Sequence, residues 1–227
     1  MAGVAPTSPP GSFTGSLTPG ERDRLFETGR RRRFPRGSTL FNEGELSDRV
    51  VVLLAGRVKV SYFTEHGREV VLAVRSPGDL LGELSALDGE PRSATATALE
   101  PVEALVLTVA RFRDFLCAHP QVAIGLLQML SRRLRDADRQ RVEFGAYDSV
   151  GRVARRLLEL AEDFGVPDGG GVRITVSLTQ EELAGWVGAS RKAVGNALQS
   201  LRSRGLVETR RRSITVRDVE ALRRRAV

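Results

Sequence analysis

The stretch LTQEELAGWVGASRKAVGNAL, residues 178–198, contains two short helical segments joined by a tight turn. Thr179 can cap the first helix, and Glu182, three residues later, completes a capping box. Gly188 stands in the turn, where a positive φ is needed, and Ser190 can cap the second helix. This spacing predicts a helix-turn-helix, with helices over 179–187 and 190–204.

The second helix carries side chains suited to base edges and phosphates. Arg191 can bind guanine through two hydrogen bonds, Asn196 can bind adenine in the same way, and Lys192 can bind guanine or a phosphate. A hairpin is predicted next, with strands over 207–209 and 214–216 and a basic turn that would lie against the DNA backbone as a wing. The predicted DNA-binding residues are Thr179, Ser190, Arg191, Lys192, Asn196, Arg210, Arg211 and Arg212.

The charge distribution supports a polyanionic partner for this part of the chain. The 227 residues carry a net charge of +7, with a sequence pI of about 10.7. From Asp148 to the end, 15 Lys and Arg residues face 10 Asp and Glu residues, so +5 of the +7 lies in the last third. Any single basic residue is usually part of a solvated surface, but the capped two-helix pattern is far more specific than charge alone.

The N-terminal part predicts an all-β domain over residues 21–119. Short β-rich runs recur between turn signals, and glycines punctuate them about every ten residues, which is typical of an antiparallel sandwich or barrel. The segment 1–20 is rich in Pro, Ser, Thr and Gly and lacks the features of a secretory signal. We interpret it as a disordered tail, and the single cysteine, Cys117, fits a cytoplasmic protein.

A long helix is predicted over 120–146, opened by Pro120. Apolar residues keep the a/d spacing of a coiled coil, with Arg141 as the one charged interruption. Such a narrow stripe suits dimerisation, although a helix that packs on its own β-domain would show a similar pattern. The stripe consists of Leu127, Leu130, Leu134, Ala137 and Phe144. Residues 147–227 then form the winged helix-turn-helix domain.

The segment GELSALDGEPRSA, residues 82–94, joins a glycine-marked turn, a one-turn helix and an Arg-Ser pair before a strand. The Arg92 guanidinium and the amides of the short helix could share a phosphate, while the Glu83 carboxylate could accept hydrogen bonds from sugar hydroxyls. The same two residues could equally form a salt bridge in a β-sheet loop. The residues alone leave both interpretations open.

Both segments resemble those of one family. Residues 82–94 resemble the phosphate-binding cassette of cyclic-nucleotide-binding domains, and residues 178–198 resemble the helix-turn-helix of the CRP/FNR transcription regulators. The resemblance covers about Leu25 to Val216. It implies an α+β fold, made of an antiparallel β-roll, a dimerisation helix and a winged helix-turn-helix. It also implies a homodimer that binds a palindromic site in double-stranded DNA, with RNA polymerase as a further partner.

By this resemblance Glu83 would hold the ribose 2′-hydroxyl and Arg92 and Ser93 the cyclic phosphate, with Gly82 and Leu84 shaping the backbone around them. Ser85 is a further candidate for ligand binding. Members that respond to cAMP typically present a Thr-Ser pair to the adenine, and this chain has Ala137 and Asp138 there instead. The effector could therefore be cAMP or another cyclic nucleotide. After the capping serine, the chain has Arg-Lys-Ala-Val where cAMP-type members tend to have Arg-Glu-Thr-Val, which predicts a different DNA site.

Three alternatives stay open. The cassette could be a relic in a regulator that acts without a nucleotide, or the β-roll could control a protein partner, which the C-terminal third argues against. A haem or iron–sulfur sensor is disfavoured because one cysteine cannot hold a cluster. No enzyme is predicted, since His66 and His119 lie near no nucleophile or metal-ligand spacing. No metal and no required cofactor are expected.

Overall fold

In the computed structural model, residues 11–46, 48–210 and 213–226 are described. The chain divides into two compact units. The first holds the residues up to Gly67 together with Leu72–Asp136, and the second holds Arg68–Val71 with the residues from Ala137 onward. The predicted Arg211 and Arg212 lie outside the described residues.

The first unit is an antiparallel β-roll with helices at its ends, as predicted. Its two four-stranded sheets have the strand orders β1-β8-β3-β6 and β2-β7-β4-β5. The strands are β1 (Arg30–Phe34), β2 (Thr39–Phe41), β3 (Arg49–Ala55), β4 (Val58–Phe63), β5 (Glu69–Arg75), β6 (Leu80–Leu81), β7 (Thr95–Ala98) and β8 (Val102–Thr108). The helices are α1 (Pro19–Thr28), α2 (Glu83–Asp88), α3 (Val109–Ala118) and α4 (Pro120–Ala146). The first three residues of β5 and the end of α4 from Ala137 belong to the second unit.

Strand β3 explains the continuous apolar run VVVLL, residues 50–54. Val50 and Val52 pack into a core shared with the helices, whereas Val51 and Leu53 pack into the core between the two sheets. Because both faces of the strand are buried, the sequence shows no alternation of apolar and polar residues. The strand sits at the centre of the unit.

Strand β1 was not predicted, because its sequence RRRRF has no apolar pattern. It pairs with β8 along its whole length, with Arg30 opposite Val106 and Phe34 opposite Val102. On its other side the strand forms an edge of the sheet. Charged side chains are common on edge strands, where they hinder pairing with other chains. Backbone pairing with an apolar neighbour, rather than its own side chains, therefore makes this segment a strand.

The prediction of a disordered tail through Gly20 is wrong for its described second half. Phe13 and Leu17 are buried in the helix-side core of the β-roll, and the ring of Phe13 meets that of Phe112 edge to face. Thr18 then caps α1 through a capping box with Glu21. Two large apolar side chains provide enough buried surface to order a segment that is otherwise polar and rich in glycine.

Helix α4 occupies the range predicted for the long helix. Of the predicted stripe, Leu127, Leu134, Ala137 and Phe144 are exposed, and only Leu130 packs on the β-roll. Val122, Leu126 and Met129 are buried in the β-roll core, and Leu130 packs against the same core. The large exposed apolar side chains of α4 are those of Ile124, Leu127, Leu134, Val142 and Phe144, so Ile124 and Val142 add to the predicted stripe. Neither this helix nor any other in the described residues is long and apolar enough to cross a membrane.

The second unit is a winged helix domain. Its four-stranded sheet has the order β11-β12-β10-β9. The sequence also predicts a strand over 172–177, which in the structure begins at Gly171 and ends at Ile174. The strand Gly165–Asp168 and the helix Val219–Arg225 are not predicted. The elements are α5 (Ser149–Phe164), β9 (Gly165–Asp168), β10 (Gly171–Ile174), α6 (Gln180–Val187), α7 (Arg191–Ser203), β11 (Val207–Arg210), β12 (Ser213–Val216) and α8 (Val219–Arg225).

Candidate nucleotide pocket and DNA-binding helix

The cassette begins at Gly82, which has φ +77° and turns the chain from β6 into α2. A Cβ at this position would overlap the Arg92 guanidinium. Only glycine therefore allows both the left-handed backbone and the close approach of Arg92. The sequence-based expectation that Gly82 shapes the backbone agrees with this geometry.

Arg92 is held in place by two backbone carbonyls, one at the start of the cassette and one in β3. Its side chain is only 3% exposed and lies over the Phe41 ring, with 4.3 Å between Cζ and the ring centroid. Nη1 donates to the Gly82 carbonyl at 2.9 Å, and Nη2 donates to the Arg49 carbonyl. Burial lowers the pKa of Arg92 from its ordinary value, but the group stays protonated. The result is a fixed cation with N–H donors to spare.

Glu83 is also buried, at 4% exposure, but its ion-pair partner is Arg133 of α4. Nη1 of Arg133 donates to Glu83 Oε1 at 2.5 Å, and Nη2 donates to the Leu80 carbonyl at 3.1 Å. Within the described chain, Glu83 and Arg92 form no ion pair, which rules out the alternative of a mutual salt bridge. Arg133 was missed in the sequence, although it lies four residues before Ala137 and so on a neighbouring position of one helix face.

The remaining pocket residues differ in accessibility. Leu84 and Ser93 are exposed, whereas Ser85 is buried and donates its hydroxyl to the Pro91 carbonyl at 3.3 Å. Ser85 is thus engaged in holding the cassette loop together. Ala137 and Asp138 lie on α4, and both are exposed. Asp138 makes no hydrogen bond or ion pair in the described parts of the chain. Its role in base recognition stays a prediction.

The helix-turn-helix forms with the predicted caps. The Thr179 hydroxyl accepts from the Glu182 amide at 3.1 Å, and Glu182 Oε2 accepts from the Thr179 amide at 2.8 Å. Gly188 ends α6 with φ +61°, and a Cβ there would come within 2.5 Å of the Phe144 ring. The Ser190 hydroxyl accepts from the Ala193 amide at 3.1 Å. The caps at Thr179 and Ser190 each join residues three positions apart, which explains why the sequence alone predicts them.

Helix α7 divides cleanly into a buried and an exposed face. The exposed side chains include Arg191, Lys192 and Asn196. The buried ones are those of Val194, Ala197, Leu198 and Leu201. Ala184 of α6 is also buried, where a small residue lets the two helices approach. The predicted base-reading residues therefore share one solvent-facing surface.

Two of the predicted DNA contacts have partners within the protein. Thr179 donates its hydroxyl to Glu182 at 2.9 Å, so its oxygen already serves the capping box. Arg210, on the hairpin after α7, is exposed, and its Nε donates to Glu208 Oε1 at 2.7 Å. Hydrogen bonds from Arg217 and Arg210 lower the pKa of Glu208, which keeps this carboxylate ionised. The charge of Arg210 is thus partly balanced by Glu208, and its contact with a phosphate stays a prediction.

Charged side chains of α5 contact α6 and stabilise it. The Arg156 guanidinium lies over the Trp186 ring, 4.7 Å from its centroid, and pairs with Glu159. Burial raises the pKa of Glu159, while Arg156 opposes that rise. Arg152 donates to the Val187 carbonyl at 2.9 Å near the end of α6. As for metals, no cluster of three His, Cys, Asp or Glu side chains suited to an ion occurs among the described residues.

Comparisons with known proteins agree with this architecture. Residues 31–119 match the cyclic nucleotide-binding domain, and residues 151–225 match the Crp-like helix-turn-helix domain. The chain is 40% identical over 193 residues to a CRP-like cAMP-activated global transcriptional regulator of Mycobacterium tuberculosis, covering 85% of this chain and 86% of that protein. It is 32% identical to the global nitrogen regulator of a Synechocystis strain, covering 83% and 85%.

Among solved structures, a CRP-family transcriptional regulator from Thermus thermophilus matches with a TM-score of 0.74 at 28% identity. The match covers 86% of this chain and 96% of that one. The family named by the resemblance in the sequence is thus confirmed by two domain matches, by relatives and by fold. These relatives are named as regulators and not as enzymes, in agreement with the prediction from the sequence. The chain belongs to the CRP/FNR family of transcription regulators.

Proposed function

We propose that this protein is a homodimeric regulator whose binding to DNA is controlled by a cyclic nucleotide held in the cassette. The observation that carries the proposal is the buried Arg92 guanidinium, which is fixed between two backbone carbonyls and keeps free N–H donors. A buried arginine whose partners are neutral carbonyls retains a full positive charge for an anion. A relative named as cAMP-activated supports the same ligand class.

In this pocket the cyclic phosphate accepts hydrogen bonds from Arg92 and from the exposed hydroxyl of Ser93. The ribose hydroxyl donates to Glu83, whose Oε2 is not engaged by the bond from Arg133. Arg133 orients the carboxylate, because its Nη1 lies 2.5 Å from Glu83 Oε1. Arg133 is therefore a positioning residue, whereas Arg92 and Glu83 contact the ligand.

Base recognition falls to Asp138. A carboxylate accepts hydrogen bonds only, so it suits the amino group of adenine or the N1 and N2 edge of guanine. Ala137 offers no hydrogen bond. We therefore expect a base preference that differs from that of a Thr-Ser pair.

The dimer forms along the exposed apolar side chains of α4. Leu127 and Leu134 are 61% and 64% exposed, which is unusual for leucines one heptad apart on a helix. A second copy of the same helix would bury both in the manner of a coiled coil. Palindromic DNA would then be read by two copies of α7, one for each half-site.

Calorimetric titration of the full-length protein with cAMP, cGMP and cyclic dinucleotides tests the effector. Binding of one of them, together with tighter binding to DNA in its presence, is the expected result. The double variant Ala137→Thr with Asp138→Ser restores a Thr-Ser pair and should shift the preference toward cAMP. If none of the nucleotides binds and DNA binding is unaffected, the regulator acts without a nucleotide, and the proposed control is wrong.

A further inference from the structure

The chain has almost no lysine. Of its 35 Lys and Arg residues, 33 are arginines and only Lys59 and Lys192 are lysines. The difference matters chemically, because a guanidinium stays protonated in proteins, whereas a lysine amine can be acylated and lose its charge. A reagent that acylates amines can therefore change the charge of very few positions in this protein.

The two lysines are in opposite environments. Lys59 lies in β4 and is 7% exposed. Lys192 is exposed at the second residue of α7, beside Arg191. It makes no hydrogen bond or ion pair in the portion of the chain that the structure describes. In that portion, Lys192 is the one solvent-accessible lysine, and it lies on the helix that reads DNA.

The position of Lys192 does not serve the helix itself. The first turn of a helix carries partial positive charge and favours acidic side chains. Helix α6 follows this rule with Glu181 and Glu182, and α8 follows it with Glu220. Helix α7 has no acidic residue in its first turn and has two cations there instead. This charge is therefore placed for an anion outside the protein.

We infer that Lys192 is an acylation site through which activated acyl donors, such as acyl phosphates or thioesters, lower the affinity of this regulator for DNA. The inference rests on the proposed reading of DNA by α7. The unprotonated amine nitrogen attacks the acyl carbon, and a carbon–nitrogen bond forms. The bond to phosphate or thiolate breaks and the leaving group departs with its electron pair. The amine proton passes to solvent, and the product is a neutral amide.

Acylation at this position has a specific consequence. It removes one cation from the surface that faces phosphates or guanine, so one fewer counterion is released on binding. It also removes a charge that opposes the helix dipole, so the fold is not weakened. Loss of DNA affinity without loss of thermal stability distinguishes this site from a structural lysine.

The experiment treats full-length protein with acetyl phosphate and maps acetylated residues by mass spectrometry. DNA binding is measured on a duplex that the protein selects from a random pool and on a scrambled duplex. We expect acetylation at Lys192, about a tenfold loss of affinity for the selected duplex, and a salt dependence with a slope smaller by about one. Prior binding to the selected duplex should protect Lys192 from acetylation.

Matched variants separate the outcomes. Lys192→Arg keeps the charge without an amine that can be acylated, so its own affinity for DNA should not fall on treatment. Lys192→Gln should bind more weakly than the untreated wild type both before and after treatment. Lys59→Arg should remain sensitive to treatment. If Lys192→Arg loses affinity on treatment as the wild type does, another amine is responsible and the inference is wrong. Failure of the untreated wild type to bind any duplex, both with and without the cyclic nucleotides tested above, would instead contradict the proposed function.

Discussion

Nη1 of Arg133 lies 2.5 Å from Oε1 of Glu83, which joins the long helix to the start of the cassette. The two residues are 50 positions apart in the chain. Glu83 is almost fully buried, and Arg133 also donates to the Leu80 carbonyl. A buried carboxylate without a cation would be costly, so this pair compensates the burial of Glu83 and fixes the direction of its side chain.

The pair predicts a strong coupling between the two positions. Arg133→Gln should lower the free energy of unfolding by about 1–3 kcal/mol, because it leaves a buried carboxylate with a weaker partner. In the double variant with Glu83→Gln, the loss should be clearly smaller than the sum of the two single losses. Urea denaturation of the four proteins measures this, and strictly additive losses would show that the pair is not coupled.

Arg92 should be indispensable for the nucleotide but should also support the fold. Arg92→Ala removes the phosphate contact and both bonds to the Gly82 and Arg49 carbonyls, so we expect no measurable binding and a lower unfolding free energy. Arg92→Lys keeps the charge but cannot span both carbonyls, and its affinity should fall by a factor of about 10–100. Calorimetry with the best wild-type nucleotide checks both variants. Unchanged affinity in a folded Arg92→Ala protein would discard the site.

The proposed dimer interface predicts that Leu127→Asp with Leu134→Asp gives a monomer. The two carboxylates of each chain would be buried against a second copy at a large desolvation cost. Light scattering gives the oligomeric state. Leu130 is a poor choice for this test, because it packs on the β-roll core of its own chain. Gln121→Asp with Gln128→Asp adds the same charge at other exposed positions of α4 and should leave the dimer intact.

Replacing Arg191 and replacing the wing arginines should reduce the affinity for DNA in different ways. Arg191→Ala should cost about 1–3 kcal/mol on a cognate duplex and much less on a scrambled one, since it removes a base contact. Arg210→Ala should weaken both duplexes about equally and reduce the salt slope by about one. The same result is predicted from the sequence for Arg211 and Arg212. If Arg191→Ala weakened both duplexes equally, α7 would not be the reading helix.

Asp148 predicts a pH-dependent contribution to the stability of the winged helix unit. Its carboxylate accepts from Arg225 Nη2 at 2.8 Å and from the Gly151 amide at 2.7 Å. These hydrogen bonds, chiefly that of Arg225, lower the pKa of Asp148 from its ordinary value. Because the folded pKa is depressed, the stabilisation is full above the unfolded pKa and is lost as the pH falls through the folded one.

Asp148 is the N-cap of α5. Asp148→Ala should therefore lower the free energy of unfolding by about 1 kcal/mol at neutral pH, which is typical of a removed N-cap. The difference in unfolding free energy between Asp148→Ala and the wild type should become smaller as the pH falls below about 3.9. Asp148→Asn, which can still cap the helix, should lose less at neutral pH. Urea denaturation between pH 3 and 7 tests this, and a difference that does not depend on pH would contradict the role of the ionised carboxylate.

Much of the DNA-binding part is predictable from the sequence, because its signals are local. Thr179 and Glu182, or Ser190 and Ala193, meet within one helical turn, so their spacing alone specifies a helix start. Gly188 marks the turn for a similar reason, since its positive φ is a property of one residue. The cassette glycine Gly82 belongs to the same class.

Contacts between distant residues were not predictable in this way. The segment RRRRF became a strand only because β8 supplies its hydrogen bonds, and Phe13 became ordered only because Phe112 and its neighbours supply a core. The periodicity of α4 predicted an apolar stripe but not which leucines would face the β-roll, since two apolar faces overlap on one helix. In the sequence Glu83 could equally pair with Arg92, and only the fold supplied Arg133.

The sequence by itself determined the elements and caps whose interactions span a few residues, together with the family to which the chain belongs. Only the tertiary structure decided which partner each buried charge takes and which face of α4 remains exposed. The physical reason is that a buried carboxylate or leucine is stabilised by whatever lies next to it in space, and that neighbour can be 50 residues away, as it is for Glu83.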